Sequence, residues 1–260
     1  MSAHEPRLAL AVDGVVATLT LTGRGGGNAM DLAFVQELDD ATARLDDLVA
    51  ARAVRIAVLR ARGRHFCVGG DLADFTAAPD VGAHMTLMTG HAHRAMARLH
   101  ALAVPLVFAV QGAAAGAGIG LVLAGDVVVA ERSASFVGAY AAAGLTPDAG
   151  VSWALPRAAG RLFATDAILT NRRVRAEEAL QRGLVSRVVE PGDLDAEVAG
   201  VVEALAARSF DVLVENKRLL RTGAEADLQE RLDEEAATIA RVSALSAADA
   251  AGTSTTSPRA

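Results

Sequence analysis

PLVFAVQGAAAGAGIGLVLAGD, from Pro105 to Asp126, reads as a strand, a turn of bare backbone and a helix in succession. Residues 106–110 are a short apolar run rich in branched side chains, the pattern of a buried strand, and Gln111-Gly112 ends it. A small-residue turn then opens an apolar helix over about 116–123. Gly125-Asp126 stops that helix before a second strand at 127–130. Glycines at 112, 116, 118 and 120 cost backbone entropy, so a helix start that tolerates them implies backbone lying close to something else. A ligand oxygen fits, because the first N–H groups of a helix lack internal partners and sit at the positive end of its dipole.

The uncharged run from Ala101 to Gly125 is long enough to span a bilayer. Pro105, Gln111 and the glycines break it, and its branched residues fall into two strand-sized groups, so the reading is a buried strand-turn-helix and no membrane span. The 260 residues suffice for one large α/β domain with a proper core. Apolar residues are 52% and aromatics 3%, so that core is built from Ala, Val and Leu. A net charge of -6 gives no basic face for nucleic acid. The single cysteine, Cys67, excludes an internal disulfide and fits a reducing cytoplasm, and MSAHEPRLAL shows no signal-peptide pattern.

Outward from the central stretch, residues 8–12 and 15–21 flank Asp13-Gly14, a strong hairpin signal. GRGGGNAM (23–30) is a turn before Asp31, which can cap a helix running to about Asp47. Residues 54–60 read as a central strand, followed by HFCVGGDL (65–72), where Gly69-Gly70-Asp71 is a second bare stretch ahead of a helix start. Helical spacing over 83–102 carries His84, His91, His93 and His100. His91 and His93 fall on different helix faces and no carboxylate sits at a useful offset, which favours solvated or packed histidines over a metal site. Cys67, between Phe66 and Val68, reads as a small core residue. Helices over 194–207, 210–221 and 224–242 follow Pro191-Gly192, which divides a core of 1–191 from a helical region of 192–245. The polar tail, 246–260, reads as disordered. Leu121 spoils a dinucleotide fingerprint after Gly116-Ala117-Gly118, and neither a phosphate loop nor a GxSxG elbow occurs.

FCVGGDL, PLVFAVQGAAAGAGIGLVLAGDVVVA, SASF, GLTPDAGVSWALPRAAGR and AEEALQRGLVSRVV occur in this order, with NAM at 28–30. Together they resemble the crotonase superfamily of enoyl-CoA hydratases and isomerases, over about residues 8–242. The resemblance implies an α/β, ClpP-like fold of repeated ββα units and a C-terminal helical trimerisation region, in trimers or pairs of trimers. It further implies that the backbone N–H groups of Gly70 and Ala117 form an oxyanion hole for a coenzyme A thioester carbonyl. Ala29, Val68, Gly69, Gly70, Asp71 and Leu72 match positions whose backbone meets adenine and pantetheine. Coenzyme A enters as part of the substrate, with no covalently bound cofactor. Arg24 or Lys217 is either a phosphate partner or a solvated surface charge. Members of the family often close the pocket with a final helix, which residues 243–260 lack in this reading.

The departures bear on the reaction. By motif alignment, the two glutamates that activate water in hydratases are replaced here by Gly120 and Tyr140, neither able to serve as a carboxylate. Asp148 of LTPDAG remains, and it reads as the general acid/base of an acyl-CoA isomerase in preference to an ordinary helix cap. The stretch around it is most similar to phenylacetyl-CoA epoxide isomerase-like members. An isomerase needs one base that takes a proton and returns it nearby, so a single carboxylate suffices. Tyr140 either bonds substrate or lines an apolar pocket. A dehalogenase would use Asp148 as nucleophile within an aromatic cradle, which seven Phe, one Trp and one Tyr supply poorly. The remaining alternatives are a hydratase with an atypical site and an acyl-CoA-binding protein without chemistry.

Overall fold

Gly14-Val15, one residue on from the expected Asp13-Gly14, turns the chain back on itself: Asp13 ends the first strand and pairs with Val16, and Gly14 takes the left-handed φ of +53 that the turn requires. The computed structural model describes residues 6–223 and 227–253, with side chains at all of these except 24 and 246–253. The strands are β1 (Leu8–Asp13), β2 (Val16–Leu21), β3 (Ile56–Ala61), β4 (Leu106–Val110), β5 (Ala113–Ala115), β6 (Val127–Glu131), β7 (Ser135–Val137), β8 (Arg173–Arg175) and β9 (Arg187–Val189). The helices begin with α1 (Leu32–Ala50), α2 (Leu72–Ala77), α3 (Val81–Ala101), α4 (Ala117–Leu123) and α5 (Val151–Ala159). They continue with α6 (Arg161–Leu169), α7 (Ala176–Gln181), α8 (Leu194–Ala206), α9 (Phe210–Thr222) and α10 (Leu228–Thr253).

The main sheet has the order β1-β2-β3-β4-β6-β9, antiparallel between β1 and β2 and parallel beyond. Every residue of β4 is buried, because the sheet is covered on both faces. Leu106, Phe108 and Val110 enter the principal core, while Val107 and Ala109 join Ile56, Val58 and Val129 under Leu194, Val198 and Val201 of α8. Each large apolar side chain so buried stabilises the fold by about 1.5–3 kcal/mol. The run from 101 to 125 is thus divided among β4, β5 and α4, and among the described residues no helix is long and apolar enough to cross a membrane.

A second, smaller sheet of β5, β7 and β8 carries the backbone that matters for function. Ala114 bridges to Cys67, and Gly70 to Met30, so the bare stretch at 67–70 lies between residues 28–30 and β5. Asn28 fixes this arrangement. Fully buried at φ +51, it donates Nδ2 to the carbonyls of Arg62 (2.9 Å), His65 (2.9 Å) and Phe66 (3.0 Å). The three strands of this sheet, three residues each, are too short for periodicity to reveal.

Asp31 caps α1, accepting the Phe34 N–H at 2.8 Å. At the other end, α9 and α10 are joined by Arg218 to Glu234 and by Arg241 to Glu215. In contrast to the expected helix end at 242 and tail from 246, α10 runs on to Thr253. Ala244, Ala247, Ala248, Ala250 and Ala251 favour helix strongly enough to carry it there. Residues 254–260 of that tail lie outside the described residues.

Candidate active site

A trans peptide points its C=O and N–H in opposite directions. The Gly69 carbonyl accepts the Met30 N–H at 2.8 Å, so the N–H of Gly70 is turned the other way, toward β5 and α4. The Gly116 carbonyl accepts the Ile119 N–H at 2.9 Å, which turns the Ala117 N–H out of the helix start. Gly116 sits at φ +51, a conformation that favours glycine. The two segments are in contact: a Cβ on Gly116 would lie 3.8 Å from Gly69 Cα. Gly70 and Ala117 line one cavity of about 250 Å³.

Most of the other glycines in this region meet protein rather than ligand. A Cβ would lie 2.2 Å from Arg64 O at Gly112, 2.3 Å from Cys67 O at Gly118 and 2.4 Å from Ala149 O at Gly120. Helix α4 is therefore wedged between two stretches of backbone, and its bare face is a packing requirement. At Gly70 the neighbour is the Phe75 ring, whose Cζ would be 2.2 Å from a Cβ. These contacts revise the sequence reading of the glycines, because chain segments distant in sequence press on the helix from both sides.

Asp148 does not cap α5. Gly150 is the N-cap and makes no side-chain bond, while Asp148 offers only its carbonyl, to the Val151 N–H at 3.0 Å. Asp148 lines the cavity, and its Oδ1 accepts the Tyr140 hydroxyl at 2.9 Å. Burial pushes this carboxyl above the ordinary aspartate range, while the hydrogen bond from the Tyr140 hydroxyl pulls it down without reversing the shift. Burial, followed by the neighbouring Asp148, pushes the Tyr140 phenol well above its usual value, so Tyr140 is the donor of the pair. The corner bearing Asp148 is strained: Ala149 is fully buried at φ +50, which costs a non-glycine residue on the order of 1–2 kcal/mol. Its N–H donates to His93 Nε2 at 3.3 Å.

Of the residues singled out in the sequence, Val68, Gly69, Gly70, Leu72, Ala117, Tyr140 and Asp148 line the cavity together, whereas Ala29 and Asp71 do not. Asp71 caps α2, accepting the Ala73 N–H at 3.0 Å. Lys217 is neither a phosphate partner nor a solvated charge. Its Nζ is nearly buried, 2.6 Å from Asp126 Oδ2 and 2.9 Å from Val104 O. The side chain of Arg24 lies outside the described residues. His91 Nδ1 is 2.8 Å from Asp39 Oδ2, and among the described residues no cluster could hold a metal ion. Cys67 is buried, and burial pushes its thiol up to about 12. Phe75 and, on α3, Met85, Met88, Thr89 and Ala92 wall the cavity. Ala139, Ala143, Leu145 and Thr146 also line it and had no separate sequence signal. His93 was legible only as half of a pair: it and His100, seven apart, share a helix face, and that face meets Ala149 and Gly150.

What the arrangement offers chemically is a pair of backbone donors turned toward a largely apolar space and one carboxyl of raised proton affinity over it. The sequence model of the family described as enoyl-CoA hydratase/isomerase matches residues 12–249. The 1,2-epoxyphenylacetyl-CoA isomerase of Escherichia coli (strain K12) is 41% identical over 142 residues, which cover 53% of each protein, so that match spans about half of the relative's length. A crystal structure of a putative enoyl-CoA hydratase/isomerase from Mycobacterium abscessus is similar with a TM-score of 0.87 and 34% identity, covering 96% of this chain and 98% of that one. A putative enoyl-CoA hydratase from Thermobifida fusca YX, in complex with acetoacetyl-CoA, is similar with a TM-score of 0.82 and 30% identity, covering 92% of this chain and 95% of that one.

Proposed function

Since the chain belongs to the enoyl-CoA hydratase/isomerase family, whose members act on coenzyme A thioesters, we propose that it is an acyl-CoA isomerase with Asp148 as its general acid/base. The observation that carries this reading is the contact between Gly120 and Ala149. Where a hydratase of this family would place a glutamate, a side chain has no room, because Ala149 O would lie 2.4 Å from its first atom. Asp148 is the acidic side chain that reaches the cavity.

In this reading the thioester oxygen takes the Gly70 and Ala117 N–H groups. Taking a proton from C2 of a 3-enoyl thioester moves negative charge onto that oxygen, where two fixed donors stabilise it. Loss of one such donor costs on the order of 10²–10³ in rate. The proton rests on Asp148 and is returned at C4, leaving a 2-enoyl thioester. A raised proton affinity suits a group that must both take and give. Tyr140 holds the carboxyl by Oδ1 and leaves Oδ2 for the substrate. The dehalogenase alternative needs an aromatic cradle, and the rings on the cavity are Phe75 and Tyr140.

Assembly into trimers, or pairs of trimers, belongs to the same reading, supported by exposed Leu220, Leu228 and Ile239 on α9 and α10. So does a reducing, cytoplasmic setting, consistent with the buried free thiol of Cys67. The test is Asp148→Asn. It should abolish both isomerisation of a 3-enoyl-CoA and exchange of solvent deuterium into the acyl chain, while acyl-CoA still raises Tm. Undiminished exchange in this variant would sink the assignment.

A further inference from the structure

We propose that His93 is a positioning residue for Asp148, acting by accepting the N–H of Ala149 and so fixing the peptide from which the carboxyl hangs. This rests on the acid/base reading of Asp148 given above.

The Asp148 carbonyl and the Ala149 N–H are the two ends of one rigid peptide unit. The carbonyl end is held from within the corner, by the Val151 N–H at 3.0 Å and, more weakly, by the Tyr140 hydroxyl at 3.4 Å. The N–H end is held from outside it, by His93 Nε2 at 3.3 Å. Ala149 is fully buried and left-handed, and Gly150 follows at φ +77. Two left-handed residues in succession persist only where the surroundings over-determine them. Without an acceptor, the Ala149 N–H would be a buried donor left unpaired, and the peptide would be free to turn. Turning it swings the Asp148 carboxyl relative to the two backbone donors.

The bond also assigns a tautomer. Nε2 accepts, so the proton is on Nδ1. His93 itself is exposed and does not line the cavity, which separates it from groups that touch substrate. Its helix, α3, presents Met85, Met88 and Thr89 to the cavity, so the wall that meets the acyl chain and the brace of the acid/base corner are one rigid element.

The experiment compares His93→Leu, which has no acceptor, with His93→Gln, whose Oε1 can reach the place of Nε2, on 3-enoyl-CoA isomerisation. Misplacing a reacting group by about 1 Å can cost about 10²-fold. His93→Leu should lower kcat by about 10- to 100-fold with KM within about threefold of wild type, and His93→Gln should recover most of the loss. His93→Asn, too short to reach the Ala149 N–H, should behave as the Leu variant, and it serves in its place if that variant fails to fold. A kcat for His93→Leu within about twofold of wild type overturns the proposal. So does an equal loss in the Leu and Gln variants, or a loss confined to KM. Asp148→Asn, run beside them, separates the levels: if it is inactive while His93→Leu is normal, only the role of His93 falls. If Asp148→Asn still turns over, both fall.

Discussion

Adding one methyl group at Gly120 tests whether the reaction is set by the closeness of α4 to the Asp148 corner. A Cβ there would lie 2.4 Å from Ala149 O and 2.8 Å from Ala149 Cβ, whereas real Cβ contacts essentially never fall below 3.0 Å. The neighbour is backbone, so the whole corner must retreat by about 0.6 Å or more, and Asp148 moves with it. By the sensitivity of catalysis to placement, kcat for 3-enoyl-CoA isomerisation should fall by about 10- to 100-fold. Stability should change far less. Overpacking costs about 1–3 kcal/mol, while replacing a helical glycine by alanine returns about 1 kcal/mol. The net is a loss of about 0–2 kcal/mol, a fall in Tm of a few degrees for a chain of this size. Gly200→Ala on α8, with nothing within 4 Å of the new methyl, is the control: kcat should stay near wild type and Tm should rise by a few degrees, the helical gain without the overpacking. Retention of full kcat by a folded Gly120→Ala variant would refute the reasoning. So would useful hydration of crotonyl-CoA by Gly120→Glu, because that would mean room for a carboxylate exists.

Asp148 has a raised proton affinity in the fold, so its contribution to stability is present at low pH and lost as pH rises through the folded value. Asp148→Asn should therefore raise Tm at neutral pH while removing activity, and a lower Tm in a neutral-pH melt would contradict this. In wild type, kcat should decline toward acid through a group titrating above an ordinary aspartate, because the base form is lost there; a pH–rate profile reads this. Tyr140→Phe removes a donor to the charged carboxyl, so the acid limb should move to higher pH and kcat should drop by about tenfold. Lys217→Met takes the cation from Asp126, which is partly exposed and keeps the Leu106 N–H, and should destabilise by about 1–2 kcal/mol in denaturant melts. It should leave KM for acyl-CoA unchanged, and a rise in KM alone would restore the phosphate reading.

Local signals carried most of the fold. The apolar run at β4, the Asp13-Gly14 hairpin signal, the Asp31 cap and the glycine stop after α4 each report on neighbours in sequence, and each element stands within a few residues of its expected place, the hairpin turn falling one residue later at Gly14-Val15. Periodicity is silent for β5, β7 and β8, which exist because other strands lie beside them. It is equally silent for the end of α10, where alanine propensity outweighed the polar composition of the tail.

The site divides in the same way. Bare backbone at 69–70 and 116–118 was visible in the sequence because the absence of a side chain is itself a local fact. What each glycine faces is not local: only packing distinguishes Gly116, bent at φ +51 beside the cavity, from Gly120, pressed on Ala149. The same holds for charge. Sequence alone could present Asp148 as a cap or an acid/base and Lys217 as a free cation. The tertiary structure set Asp148 against Tyr140 and Lys217 against Asp126, since burial and partner together fix what an ionisable group can do.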